Sequence, residues 1–161
     1  PVAGAGTDGV LQPGEGRLAG EIGPRQRPPP TDVFEQRIVA QVLRDVLSHE
    51  PYRALTFHSQ IALNQVASPT NTAFTDREGM FLRNRASCDF VLYFKVGKVP
   101  LGVIEVDGGS HDLPKQAERD ALKNSILEKS GIPLLRLRTV ESYIEEKIAE
   151  FLFRATGRTA I

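Results

Sequence analysis

Between Leu101 and Lys115 an apolar run leads into two carboxylates, a Gly-Gly turn and a histidine: Leu101-Gly-Val-Ile-Glu-Val-Asp-Gly-Gly-Ser-His-Asp-Leu-Pro-Lys115. Folding alone does not need these polar groups at the end of an apolar strand, so chemistry is expected there. Side chains alternate across a strand, which puts Leu101, Val103, Glu105 and Asp107 on one face and Gly102, Ile104 and Val106 on the other. Upstream, Ala86-Ser-Cys-Asp-Phe-Val-Leu-Tyr-Phe94 reads as a second apolar strand with one acid, Asp89, near its start. Asp89, Glu105 and Asp107 are thereby expected to converge on one sheet edge. Like charges so close repel and desolvate at a cost unless a cation or a shared proton lies among them. A divalent metal is the economical solution.

Carboxylates are hard oxygen donors, and an open site made of a few of them plus water suits Mg²⁺ or Mn²⁺ better than Zn²⁺. Asp89 and Glu105 are the first candidate ligands, while Asp107 would bind a second cation or orient water; an Asp before Gly is also ordinary turn chemistry. His111, beyond the glycines, would act as acid or base near neutral pH or serve only as a turn residue. The Ser110 hydroxyl is a weak nucleophile candidate, because its surroundings lack the closing glycine of a nucleophile elbow. No cysteine or histidine pair has zinc-site spacing. His49 and His58 have no evident partner, and Cys88 reads as a small buried hydrophobe rather than a reactive thiol.

The elements that must hold these residues can be read along the chain. Thr31 or Asp32 offers a helix N-cap, with Glu35 three residues beyond Asp32 as in a capping box, and Val33, Phe34, Ile38, Val42, Val46 and Leu47 follow at helical spacing to about Ser48. Tyr52 to Ala67 suggests a strand and a short helical turn, and Asn71 to Asn84 a polar loop. Lys95-Val-Gly-Lys98 joins the two acid-bearing strands as a hairpin, since Gly tolerates the positive φ of a tight turn. Pro114 to Ser130 then reads as a helix closed by Gly131, Ile132 to Leu137 as a strand, and Val140 to Ala155 as an amphipathic helix. This order implies an α/β sandwich around a mixed sheet.

The 161 residues support one ordinary domain, and 40% apolar with 25% charged residues is usual for a globular protein. No apolar run approaches the roughly 20 residues of a membrane-spanning helix, and no signal-peptide pattern opens the chain. A chain that starts without Met is expected to be a piece of a longer protein with other domains. The single cysteine fits a reducing cytoplasm. Net charge is zero, which is not the signature of a strongly basic nucleic-acid binder. Between residues 77 and 138, however, eleven Lys and Arg face eight acids, so setting aside the three candidate ligands leaves a modest phosphate-attracting rim.

Asp89 on one strand, then Glu105 on the next, then a helix and a strand, resembles the layout of the PD-(D/E)xK (restriction-endonuclease-like) nuclease superfamily. Cys88-Asp-Phe-Val-Leu92, Val103-Ile-Glu-Val-Asp-Gly-Gly-Ser-His111, Gln116-Ala-Glu-Arg-Asp120 and Gly131-Ile-Pro-Leu-Leu-Arg136 are similar to an uncharacterised bacterial group within it, which in turn resembles the very short patch repair endonucleases. The resemblance spans about residues 32 to 140. It implies a three-layer sandwich with a central mixed β-sheet flanked by helices, and a Mg²⁺- or Mn²⁺-dependent endonuclease hydrolysing DNA phosphodiester bonds. It also implies that the Val106 carbonyl joins Asp89 and Glu105 on the metal, and that Glu35 on the first helix contributes to the site. The superfamily usually carries Lys where this chain has Asp107; the basic role would then fall to Arg119 or Lys123 on the following helix. A nuclease fold that has lost catalysis and serves as a nucleic-acid-binding or protein-interaction module is the alternative.

Residues 1–30 contain seven Gly and six Pro and few large apolar residues, so they are expected to be a linker or tail, with the nuclease-like domain at 31–161. The Gly4-Ala-Gly6-Thr-Asp-Gly9 spacing has neither strand nor amphipathic helix around it and is read as chance. Deleting residues 1–30 is expected to leave the thermal midpoint nearly unchanged by calorimetry. A fall of many degrees would show that the segment packs on the domain.

Overall fold

The two acid-bearing segments do form neighbouring antiparallel strands, and the rest of the chain is arranged to cover both their faces. The computed structural model describes residues 31–68, 73–84, 86–108, 114–138 and 142–157; the expected tail at residues 1–30 lies outside the described residues. The elements are α1 (Thr31–Ser48), β1 (Leu55–Ala62), α2 (Leu63–Val66), α3 (Asp76–Arg83), β2 (Ser87–Phe94), β3 (Pro100–Asp107), α4 (Pro114–Lys129), β4 (Leu134–Arg138) and α5 (Ile144–Ala155). The strands pair in the order β1-β2-β3-β4, antiparallel except for β3 with β4, so the sheet is mixed as expected.

Each face of the sheet carries its own core. Val39, Leu43, Val46 and Leu47 of α1 and Ile148 and Leu152 of α5 pack on Phe90, Leu92, Ile104, Val106 and Leu137. On the opposite face Ile126 and Leu127 of α4, Leu63 and Val66 of α2 and Leu82 of α3 enclose Cys88, Val91 and Val103. Helices thus cover both faces of the central sheet, an α/β arrangement in which β3 is buried on both sides and reads as a nearly unbroken apolar run.

Local signals explain most of the element ends. Gly97 at φ 82 supplies the left-handed residue of the β2–β3 hairpin, and Gly131 at φ 68 ends α4, where the Ile132 N–H returns to the Leu127 carbonyl at 2.9 Å. Three expectations need correction. First, α1 already includes Thr31 and Asp32, so its cap falls outside the described residues and Glu35 is not at the expected capping position; it is buried instead. Second, Leu101 does not share a face with Glu105. Pairing jumps from Leu92–Gly102 to Tyr93–Pro100, a β-bulge that leaves Leu101 extra and turns it into the α1/α5 core. Third, the expected polar loop at 71–84 contains α3.

Helix α3 rests on a capping box: the Glu78 N–H donates to Thr75 Oγ1 at 3.2 Å and the Thr75 N–H to Glu78 Oε2 at 2.7 Å. The same buried carboxylate accepts from Ser125 Oγ at 2.5 Å and from Lys129 Nζ at 2.8 Å and 2.9 Å, which pins α3 to α4. Arg77 of α3 also pairs with Glu118 of α4. Lys129, Ser125 and the Thr75 N–H together lower the Glu78 carboxyl from 4.5 to about 2, against the opposing effect of burial.

Glu78→Ala is therefore expected to cost about 1–3 kcal/mol in urea denaturation at neutral pH, since it strands several donors of one network. Because the folded value is depressed, the stability Glu78 contributes is present above about 4.5 and is lost as pH falls from there to about 2. Stability measured across that window should fall more steeply in the wild type than in Glu78→Gln; parallel curves would remove Glu78 from the acid transition.

Candidate metal and phosphate site

The β2–β3 ladder runs from the hairpin as far as the Phe90–Ile104 pair and goes no further. At the next positions, carboxylates replace carbonyls as hydrogen-bond acceptors. The Asp89 N–H donates to Glu105 Oε1 at 3.2 Å, and the Val106 N–H donates to Asp89 Oδ2 at 2.9 Å. Each acid thus satisfies a backbone amide linked to the other, and both are held where the strands part. The sequence expectation that Asp89 and Glu105 meet is realised in this geometry.

Glu105 is buried at 6% relative exposure. Its second oxygen accepts from Lys123 Nζ at 2.7 Å, and the same ammonium donates to the Ser87 carbonyl at 2.8 Å. Burial raises the Glu105 carboxyl above the ordinary glutamate range; the charge of Asp89 adds to this and Lys123 opposes it. Of the two basic residues expected on the helix after β3, Lys123 is the one that reaches the acids. Arg119, one turn nearer the start of α4, is exposed.

Glu35 lies one turn before Val39 on the core-facing side of α1, and its Oε2 is buried with no hydrogen-bond partner among the described residues. Its neighbour Gln36 donates through Nε2 to Asp89 Oδ1 at 3.0 Å, so this turn of α1 lies beside the acids. A buried carboxylate oxygen without a donor is costly, and a cation or its bound water is the kind of group that would satisfy it. Asp89 and Glu105 are hard oxygen donors of the kind Mg²⁺ or Mn²⁺ takes, but Glu35 is not grouped with them closely enough to make a three-carboxylate cation site among the described residues.

Asp107 behaves differently from expectation. Arg136 Nη1 donates to Asp107 Oδ1 at 3.0 Å, while the same guanidinium donates to Asn124 Oδ1 at 2.8 Å and lies 3.6 Å from Asp120. Among the described residues no group of three or more His, Cys, Asp or Glu is placed to hold one cation. Asp107 does lie on the α4 side with Glu105, as alternation requires, but the half-buried Arg136 of edge strand β4 neutralises it. Arg136 was legible as a charge in the otherwise apolar Leu134-Leu-Arg-Leu137, although its partner was not. His111 lies outside the described residues. The Val106 side chain is buried in the α1/α5 core, and its N–H is the group fixed by Asp89.

Two glutamines complete the surroundings of Asp89. Gln60 Nε2 donates to Asp89 Oδ1 at 3.3 Å and to Gln36 Oε1 at 3.2 Å. Gln60 has φ 55, a left-handed conformation that a non-glycine residue holds only at a cost, of order 1–3 kcal/mol. Nothing in the local sequence announces it. Cys88, by contrast, is fully buried with its thiol pushed up to about 12 by burial and by Glu105, so it is unreactive as expected.

These features define a two-sided α/β domain with an acid–acid–lysine centre where two strands separate. The family model described as "Protein of unknown function (DUF2726)" matches residues 35–155, and the chain belongs to that family. Comparisons with curated proteins and with solved structures return no match. No helix among the described residues is long and apolar enough to cross a membrane.

Lys123→Met tests the electrostatics of the centre without any ligand. Removing the cation leaves Glu105 buried and unpaired, an expected loss of about 3 kcal/mol by urea denaturation near pH 8. A carboxyl whose folded value is raised costs stability as pH rises through that value, and without Lys123 that cost grows. The loss should therefore be smaller at a more acidic pH, because protonation of Glu105 removes the unpaired charge. Equal losses at both pH values would show that the ammonium does not act on the charge of Glu105.

Proposed function

We propose that this chain is a divalent-metal-dependent nuclease domain of the restriction-endonuclease-like, PD-(D/E)xK type that hydrolyses DNA phosphodiester bonds. The observation that carries the reading is the joint placement of Asp89, Glu105 and Lys123: two carboxylates cross-bonded where β2 and β3 part, with an ammonium 2.7 Å from one of them. A lysine on α4 supplies the cation that the superfamily usually places at the position of Asp107, which offsets that departure.

Asp89 and Glu105, with the Val106 carbonyl as the resemblance implies, would hold Mg²⁺ or Mn²⁺, and Glu35 would engage it directly or through water. When bound, the metal supplies charge relief on the phosphoryl oxygens and lowers the pKa of water. The residues of the chain do the remaining work. Lys123 commits donors to Glu105 and Ser87, and its third N–H, which has no acceptor among the described residues, would serve a non-bridging phosphate oxygen. Glu35 would accept a proton from attacking water in this reading, and its Oε2, which has no hydrogen-bond donor among the described residues, is free to do so. The Arg136–Asp107 pair keeps a further acid from adding repulsion to an incoming phosphate. Arg119 on exposed α4 would contribute to the backbone-attracting rim, and His111 is retained as a candidate acid.

A non-catalytic nucleic-acid-binding module is favoured by one observation, the neutralisation of Asp107 by Arg136, which leaves fewer acids for a second cation. Plasmid nicking and oligonucleotide cleavage in Mg²⁺, Mn²⁺ or chelator separate the readings. Cleavage should require the metal, and Glu105→Gln should lower it by about a hundredfold or more while DNA binding persists or strengthens. Salt-sensitive DNA binding without cleavage in either metal would instead establish the binding module.

A further inference from the structure

Between Asp89 and Glu105 the chain carries only two charged residues, Lys95 and Lys98, and both stand at the tip of the β2–β3 hairpin. The tip also leaves apolar side chains in water: Val96 is 90% exposed, Val99 59% and Phe94 38%. Apolar residues scattered singly over a surface are ordinary. Three of them between Phe94 and Val99, interleaved with cations alone, form a patch that folding does not explain.

The tip is held in place. Gly97 at φ 82 and Lys98 at φ 49 turn the chain, and the Phe94 N–H donates to the Val99 carbonyl at 3.3 Å. The Lys95 N–H donates to the Ala54 carbonyl at 2.9 Å, which fastens the hairpin to the turn before β1. That turn adds no net charge, since its Arg53 and Glu50 lie 3.7 Å apart as an ion pair. The patch therefore keeps its two positive charges. An apolar tip flanked by lysines complements a partner that is both anionic and grooved. Duplex DNA is such a partner, with phosphates along the walls of its major groove and thymine methyls on the floor.

The dimensions agree with this partner. Asp89 and Lys95 are six residues apart, as are Val99 and Glu105, so a strand rise of about 3.3 Å per residue puts the tip about 20 Å from the acids. That is roughly six base pairs, just over half a helical turn. A duplex lying along the hairpin, with one phosphate at Asp89 and Glu105, thus brings a groove to the tip, and the major groove admits a two-stranded β-ribbon.

We propose that the β2–β3 hairpin tip is a second docking element for duplex DNA, with Val96 and Val99 entering the major groove and Lys95 and Lys98 neutralising phosphates at its rim. The inference rests on the nucleic-acid reading above and requires no metal. Zero net charge over the whole chain is no obstacle, because phosphate responds to the local field.

The test is anisotropy of a labelled duplex about two helical turns long, bound to the full chain in chelator at several salt concentrations. The single strand of the same sequence and vesicles rich in phosphatidylserine are measured alongside. Lys95→Ala combined with Lys98→Ala should lower the slope of log affinity against log salt by about 2, and Val96→Asp should weaken duplex binding about tenfold or more by placing a carboxylate in the groove. Thermal midpoints should stay at the wild-type value, because all three side chains are exposed. Wild-type slope and affinity in both variants would overturn the role of the hairpin, and metal-dependent cleavage by the same preparations would show that the nuclease reading survives. Val96→Asp that weakens single-strand binding as much as duplex binding would also overturn it, since a single strand has no groove to enter. Lost vesicle capture with unchanged duplex affinity would assign the tip to an anionic lipid surface instead. A wild type that neither binds nor cleaves duplex DNA would overturn both readings.

Discussion

Two hydrogen bonds replace the β2–β3 ladder where it stops: Asp89 N–H to Glu105 and Val106 N–H to Asp89. A ladder continued by carbonyls would zip the strands shut, with Asp89 directly opposite Glu105 on one face of a closed sheet. Because side-chain carboxylates serve as the acceptors, the strands separate without orphaning the amides, and the charge of both acids is drawn into one place. The layers around the sheet follow from that opening. α1 lies on one side with Glu35 and Gln36 beside Asp89, and α4 lies on the other with Lys123 on Glu105.

Two buried Glu–Lys pairs on the α4 side show what such an opening does to charge. Glu78 receives Lys129, Ser125 and a backbone amide, and is driven to about 2. Glu105 receives one lysine and one backbone amide beside a second carboxylate, and its burial raises it. The first is saturated with donors and works as a rivet between α3 and α4. The second is short of donors, as is Glu35, and a cation would meet the same need in both. Donor count and neighbouring charge set the two apart, although both are buried glutamates paired with lysines of a single helix.

A strained residue lies in the same region. Gln60 is a non-glycine residue in left-handed backbone, and it sits where β1 and β2 both exchange faces. Regular alternation would put Cys88 under α1 and direct Asp89 toward α4, on the same side as Glu105. The switch instead buries Cys88 beside Val91 and Val103 and makes Asp89 available to α1. The two acids are thus approached from opposite layers, which lets an amide pair and an ammonium act on them separately.

Much of this was legible in the residues themselves. Apolar periodicity identified α1, β2, β3 and α4, glycines placed the hairpin and the end of α4, and acids within apolar strands marked Asp89 and Glu105, because burying a charge without purpose is costly. Helix α3 was also within reach, since Thr75 and Glu78 have capping-box spacing, but the polar run around them hid it. Other features depended on the assembled fold. Whether Lys123 or Arg119 met the acids turned on how α4 packs on the sheet. Asp107 was taken by Arg136, a residue from a parallel strand one helix later. The hydrogen bonds of Gln36 and Gln60 to Asp89 arose from a left-handed residue and a change of face that no local pattern encodes. Spacing along a chain specifies which side chains can share a face of one element; which groups from different elements come within hydrogen-bonding distance is decided by packing between layers, and charge pairing depends on those distances.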